Sequence, residues 1–282
     1  MKMAALILSV SCGLMLVAFS ARGLPGQTKR DQDSAVPIIS PESRFVTVNG
    51  IRLHYLEWGQ KGPHILLLHG MNGDARVWSS LAPILATDYH VVAPDRRGAG
   101  ESGKPEQGYN YQTLVEDVAL LAGHLKLKPV SVVGHSFGAQ LALMVGAMKP
   151  GLANSVIMID GGFWPKRSTP DNAATSSEIE KTIRDYDPET VYPKISVPVL
   201  MVIARGSGPG ADVIAQLKEK GIDFFEEVRK AERGAKELAD RKLIHGEIAT
   251  IENTGHNVQV DQPQKLAGAI KQFLSKAGFV RR

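Results

Sequence analysis

Residues 130–150 read VSVVGHSFGAQLALMVGAMKP, and this stretch decides the fold. Residues 130–133 are three valines and a serine, a short run typical of a buried strand, and residues 139–148 favour a helix that stops at Lys149-Pro150. Gly134-His135-Ser136-Phe137-Gly138 lies between them. A serine flanked by glycines in a strand-to-helix turn is exposed as a nucleophile. The helix that begins there points its N-terminus at developing negative charge.

Strands and helices alternate on both sides of this turn. A hairpin around Gly50 comes first, and the alternation after it specifies a mostly parallel sheet with helices on both faces. Ligands of such sheets bind outside the carboxyl ends of the strands. The predicted strands are 45–49, 51–58, 64–68, 89–93, 130–133, 155–159, 199–203 and 248–251, and the predicted helices are 76–86, 111–125, 139–148, 178–186 and 264–273, with one or two amphipathic helices in 211–241.

Three further segments lie at predicted strand ends. Residues 69–73 read HGMNG, residues 94–102 read PDRRGAGES, and His256 follows the last strand in Thr254-Gly255-His256. Together with the serine motif they resemble the α/β-hydrolase superfamily over about residues 45–278. The resemblance implies an α/β-hydrolase fold, with a mostly parallel central sheet, helices on both faces and a small lid at about 161–195. It also implies a serine hydrolase.

The resemblance assigns roles to these residues. Ser136 is expected to be the nucleophile and His256 the general base that takes its proton and returns it to the leaving group. The backbone N–H groups of Met71 and Phe137 are expected to form the oxyanion hole. His69 is expected to orient its loop rather than to transfer protons, and Asp95 to have a structural role.

The acid of the triad has two candidates. The superfamily usually places it after the strand 199–203, but Ser207 and its immediate neighbours there carry no carboxylate. Asp212 can serve only if the intervening Gly/Pro-rich loop folds back. Asp160 follows the strand 155–159, where some branches, certain haloalkane dehalogenases among them, place the acid. We favour Asp160 and keep Asp212 as the alternative.

The expected reaction is hydrolysis of a neutral, partly apolar ester or lactone through an acyl-serine intermediate. Phe163 and Trp164 follow Asp160 closely and either form an apolar wall of the substrate pocket or anchor the lid. A serine at position 136 argues against the dehalogenase and epoxide-hydrolase branches, which use aspartate there. Amide, peptide or C–C bond hydrolysis, acyl transfer and a non-catalytic binding role are the alternatives. No metal-ligand spacing or phosphate-binding loop occurs, so no metal and no cofactor are expected.

The N-terminus predicts export. Residues 1–20 have Lys2 followed by an apolar run and small residues at 18 and 20, as in a cleaved signal peptide. An uncleaved membrane anchor is the alternative. Residues 21–43 read as a flexible leader and 44–282 as the hydrolase domain. Cys12 is the only cysteine, so the mature form would have no disulfide. The net charge is +4 with scattered Lys and Arg, which implies no nucleic-acid partner.

Overall fold

An eight-stranded sheet forms the centre of the computed structural model, which describes residues 39–162, 177–206, 218, 219, 226, 233, 236 and 246–278. The strand order is β1-β2-β4-β3-β5-β6-β7-β8. Strand β2 pairs antiparallel with β1 and β4, and the other pairs are parallel. The strands are β1 Glu42–Val48, β2 Ile51–Trp58, β3 His64–Leu68, β4 His90–Pro94, β5 Val130–His135, β6 Ala153–Ile159, β7 Val199–Arg205 and β8 Gly246–Glu252.

Helices cover both faces of this sheet, as the alternating pattern predicts. One buried cluster joins apolar side chains of α2 and α3 to the sheet, and a second joins those of α1 and α7 to its other face. The described helices are α1 Ala82–Leu85, α2 Tyr111–His124, α3 Phe137–Met148, α4 Glu178–Arg184, α5 Pro188–Val191, α6 Val258–Asp261 and α7 Pro263–Lys276.

The predicted strands all occur, with shifted ends. The hairpin between β1 and β2 closes on Asn49 and Gly50, both at positive φ, as an Asn-Gly turn requires. Strand β1 begins at Glu42, so the last two residues of the predicted leader belong to the sheet. The parallel strands β3, β4 and β5 are buried, because helices cover both faces of the sheet at its centre.

The single helix predicted over residues 76–86 is wrong. The chain forms a 3₁₀ turn at Ala75–Trp78 and then the separate helix α1. Pro83 explains the break, because proline has no N–H to donate and is tolerated only in the first turn of a helix. The apolar residues of the segment still face the core, since Trp78, Leu81 and Leu85 are all buried.

Two sequence predictions concern residues that the structure does not describe. The predicted signal peptide and most of the leader fall in residues 1–38, and most of the 211–241 segment is also outside the described ranges. Within those ranges, no helix has the length and apolar character needed to cross a membrane.

A buried ion pair fixes the loop after β4 against α2. Arg97 donates from Nε and Nη2 to the carboxylate of Asp117, with Nη2 2.6 Å from Oδ1. Asn49 Nδ2 donates to the same carboxylate at 2.8 Å, so the pair also ties the β1–β2 turn to α2. Both charged side chains are buried. Removing one partner of such a buried pair strongly destabilises the fold, because the other charge stays buried and uncompensated.

We predict that Asp117→Ala lowers the free energy of unfolding by about 3–5 kcal/mol, because it leaves the Arg97 guanidinium buried without its carboxylate. Urea unfolding followed by circular dichroism measures the change. Lys276→Ala is the matched control, since it breaks the exposed pair with Glu247 and should cost less than about 1 kcal/mol. Equal losses in the two variants would contradict this interpretation of the buried pair.

Candidate active site

Ser136 occupies a strained turn between β5 and α3. Its backbone has φ 55° and ψ −116°, which a non-glycine residue rarely adopts. Its N–H donates to the Ile159 carbonyl at 2.9 Å, which fixes the turn to the end of β6. The flanking glycines permit this turn: a Cβ on Gly134 would lie 1.9 Å from the Gly138 oxygen, and one on Gly138 would lie 2.0 Å from the Leu68 oxygen.

Asp160 and His256 are joined by a hydrogen bond. His256 Nδ1 lies 2.6 Å from Asp160 Oδ2. The other carboxylate oxygen, Oδ1, accepts the Ala204 N–H at 3.2 Å. Asp160 is itself at positive φ, 44°, directly after β6. Its side chain is 14% exposed and that of His256 is 54% exposed, so the carboxylate is sheltered while the imidazole faces outward.

His135 supports the loop that carries His256, a contact that the sequence analysis missed. His135 Nε2 donates to the His256 carbonyl at 2.8 Å, and the two rings lie 4.6 Å apart between centroids. Burial, with a smaller contribution from the neighbouring His256, lowers the pKa of His135 to about 4, so His135 is neutral at pH 7. Gln259 Nε2 lies 3.5 Å from His135 Nδ1, and Asp261 Oδ2 accepts the Gly255 N–H at 2.8 Å.

Ser136 and His256 lie at the same edge of the sheet but are not hydrogen-bonded to each other. Within the described residues, no hydrogen bond joins the Ser136 hydroxyl to the imidazole. Catalytic hydrogen bonds are often long or misaligned before substrate binds, so this geometry is compatible with a general base.

The loop after β3 lies against Ser136. A Cβ on Gly70 would be 3.3 Å from the Ser136 Cβ, which is tighter than ordinary van der Waals contact, so the loop backbone lies directly against the nucleophile. The Phe137 N–H is in the first turn of α3, where the helix itself offers no acceptor. His69 Nδ1 donates to the Gly70 carbonyl at 2.8 Å, and burial lowers the pKa of His69 to about 4. His69 therefore stays neutral and holds the loop.

The lid is described only in part. Phe163 and Trp164, the predicted pocket residues, lie outside the described residues, and so does Asp212. The helix α4 is attached through Glu178, whose carboxylate accepts the Gly108 N–H at 2.8 Å.

The root of the lid is attached near the nucleophile. The Tyr186 hydroxyl, which follows α4, donates to the Gly162 carbonyl at 2.8 Å. The rings of Tyr186 and Phe137 both lie within 6.0 Å of the Tyr111 ring, measured between centroids. Tyr186 is therefore tied to the residues after β6 through Gly162, and its ring lies against the same tyrosine, Tyr111, as the ring of Phe137.

A second Ser–His–Asp chain ties β1 to the loop after β4. The Ser43 hydroxyl lies 2.9 Å from His54 Nε2, and His54 Nδ1 lies 2.8 Å from Asp95 Oδ2. Asp95 also accepts the N–H groups of Ala75 and Glu101. Ser43, however, is the second residue of the extended edge strand β1 and does not lie in a strand-to-helix turn. This chain lacks the strained turn and the backbone donors that surround Ser136, so we assign it a structural role.

No metal site is found in the part of the chain that the structure describes. There, no three His, Cys, Asp or Glu side chains are grouped so that they could hold a metal ion.

Comparisons with known proteins agree with this fold. The family model described as alpha/beta hydrolase fold matches residues 63–192. The soluble epoxide hydrolase of Corynebacterium sp. (strain C12) is 35% identical over 113 residues, 40% of this chain and 39% of that protein. The 2-(acetamidomethylene)succinate hydrolase of Mesorhizobium japonicum is 36% identical over 130 residues, 45% of this chain and 46% of that protein. This chain thus matches less than half the length of either relative.

Solved structures extend the likeness to nearly the whole chain. A bacterial membrane phospholipase A superposes with a TM-score of 0.66 at 24% identity, covering 86% of this chain and 88% of that one. Identity at this level shows a shared fold and nothing finer. With the eight-stranded sheet and the family match, the protein belongs to the α/β-hydrolase superfamily.

The reactivities of Ser136 and Ser43 can be told apart chemically. We predict that a fluorophosphonate probe labels Ser136 and leaves Ser43 unmodified, because only Ser136 has helix N-terminal donors to hold a phosphoryl oxygen. Peptide mass spectrometry of the labelled protein locates the adduct. Ser43→Ala should keep full labelling and Ser136→Ala should abolish it. Labelling of Ser43 in the Ser136→Ala protein would show that the second chain is also reactive.

Proposed function

We propose that this protein is a serine hydrolase that cleaves a carboxylic ester or lactone through an acyl-serine intermediate. One observation carries the proposal. The 2.6 Å hydrogen bond between Asp160 and His256 lies at the sheet edge where Ser136 stands in a strained turn at a helix N-terminus. A nucleophile, a base and a group that orients the base are the three parts that nucleophilic catalysis requires.

The first half of the reaction forms the acyl-enzyme. His256 Nε2 takes the hydroxyl proton as Ser136 Oγ attacks the carbonyl carbon of the substrate. The Met71 and Phe137 N–H groups hold the oxyanion that develops, and one such donor is worth about 3–4 kcal/mol in the transition state. The bond to the alcohol oxygen then breaks, and the imidazolium returns its proton to that oxygen.

The second half releases the acid. A water molecule gives a proton to His256 and attacks the acyl carbon, and the Ser136–acyl bond breaks as the proton returns to Oγ. In both halves Asp160 keeps the proton on Nδ1, so Nε2 faces the reaction, and its charge stabilises the imidazolium. The Ala204 N–H holds the other carboxylate oxygen and so fixes the direction in which Asp160 points.

The residue at position 136 favours one of the two reaction types known among related hydrolases. One relative is a soluble epoxide hydrolase, and the branches of that chemistry use aspartate where this chain has Ser136. An acyl-serine route therefore suits this chain better than an alkyl-aspartate route. Cleavage of a C–C bond, an amide or a peptide, and acyl transfer, all use the same Ser–His pair and are the alternatives that substrate tests must separate.

The proposal is tested with p-nitrophenyl esters of graded acyl length. We predict a burst of p-nitrophenol, one equivalent per enzyme, because an activated ester acylates Ser136 faster than water hydrolyses the acyl-enzyme. Asp160→Asn should lower kcat by about 10³–10⁴-fold, because the imidazole loses the tautomer that presents Nε2 to the serine.

Two variants serve as references in this assay. Ser136→Ala should remove the burst, and the kcat of Asp212→Asn should stay near that of wild type. Full activity in Asp160→Asn together with loss in Asp212→Asn would move the acid to the loop after β7. A protein that cleaves no acyl ester but hydrolyses a vinylogous diketone would replace the esterase assignment with C–C bond hydrolysis.

A further inference from the structure

Arg96 stands next to the predicted oxyanion hole without a carboxylate partner. Its neighbour Arg97 is paired with Asp117, but among the described residues no carboxylate lies within ion-pair distance of Arg96. Its Nε is buried and has no hydrogen-bond partner in that part of the chain. Burial lowers the pKa of Arg96 to about 10, which still leaves it charged at neutral pH. A buried charge without a partner of opposite sign destabilises the folded state. Its presence here therefore asks for a functional explanation.

The contacts of Arg96 converge on the two residues expected to bind the oxyanion. Its Nη2 donates to the Met71 carbonyl at 2.9 Å. Its guanidinium carbon lies 5.2 Å from the centre of the Phe137 ring. Its backbone N–H donates to His69 Nε2 at 3.0 Å. One residue thus touches both sides of the expected hole and the histidine that holds the loop between them.

These hydrogen bonds fix both peptide planes around Met71. Because Nε2 of the neutral His69 ring accepts from Arg96, its Nδ1 carries the proton and donates to the Gly70 carbonyl. The Gly70 carbonyl and the Met71 N–H belong to one planar peptide unit, so this bond sets the direction of the Met71 N–H. The Arg96 guanidinium fixes the next unit through the Met71 carbonyl.

We propose that Arg96 is a positioning residue of the oxyanion hole: it holds the Met71 peptide in place and sets a positive charge beside the developing oxyanion. The inference rests on the proposed acyl-serine chemistry. The charge has no carboxylate partner in the described ground state, so it favours the state in which negative charge appears on the substrate oxygen. Preorganised charge and dipoles of this kind act on the transition state more than on bound substrate.

The test separates kcat from KM in Arg96→Met, which keeps much of the side-chain volume and removes the charge and the donors. We expect kcat for p-nitrophenyl esters to fall about 10²-fold, as for a misplaced catalytic group, with KM within about threefold of wild type. Inhibition by a trifluoromethyl ketone, which forms an anionic tetrahedral adduct on Ser136, should weaken by the same factor as kcat/KM.

Arg96→Lys restores the charge but not the forked donor, so its kcat and its ketone inhibition should lie between those of wild type and Arg96→Met. This variant decides the matter if Arg96→Met fails to fold. Arg76→Met is the matched control, because it removes another arginine near the same end of the sheet. The Arg76 side chain is 67% exposed and is paired with Asp74. The Arg76→Met variant should leave kcat, KM and ketone inhibition unchanged.

Two failures can be distinguished. If the wild-type protein neither turns over esters nor reacts with the ketone at Ser136, the proposed function is wrong. If wild type is active while Arg96→Met keeps its kcat and its ketone affinity, or loses activity only through KM, Arg96 does not position the oxyanion hole.

Discussion

The Asp160 carboxylate is the group on which the site depends. One oxygen accepts the Ala204 N–H from β7 and the other is hydrogen-bonded to His256, so the carboxylate joins three successive strand ends. Its burial matters as much as its contacts. A sheltered carboxylate loses part of its hydration, and here the imidazole and the backbone N–H supply hydrogen bonds in place of water.

The placement of this acid has a structural consequence. Asp160 lies at the end of β6, next to Gly161 and Gly162, so in the proposed mechanism the residue that orients the base directly precedes the segment predicted to form a lid. The Tyr186 hydroxyl holds the Gly162 carbonyl from the far side of the lid. In a site whose acid follows β7, the lid and the acid would belong to separate loops.

The sequence predicted the sheet and its order of elements because the signals are local. Asn49-Gly50 can form its tight turn with little help from the rest of the chain, and the buried parallel strands read as short apolar runs. The break before Pro83 was missed because apolar spacing continues through it. The contacts of His135, Gln259 and Arg96 could not be predicted, since each depends on residues distant in sequence. Arg96 in particular differs from Arg97 only in the direction that its side chain takes.

The central claim is that Asp160 acts through His256, and a double-mutant cycle tests it most directly. kcat/KM is measured for Asp160→Asn, His256→Ala and the double variant with one activated ester. If the two residues act as a unit, Asp160→Asn reduces activity strongly in the wild-type background and by no more than about threefold when His256 is already absent. If Asp160→Asn reduces kcat/KM by the same factor in both backgrounds, the carboxylate acts independently of the imidazole and the account is contradicted.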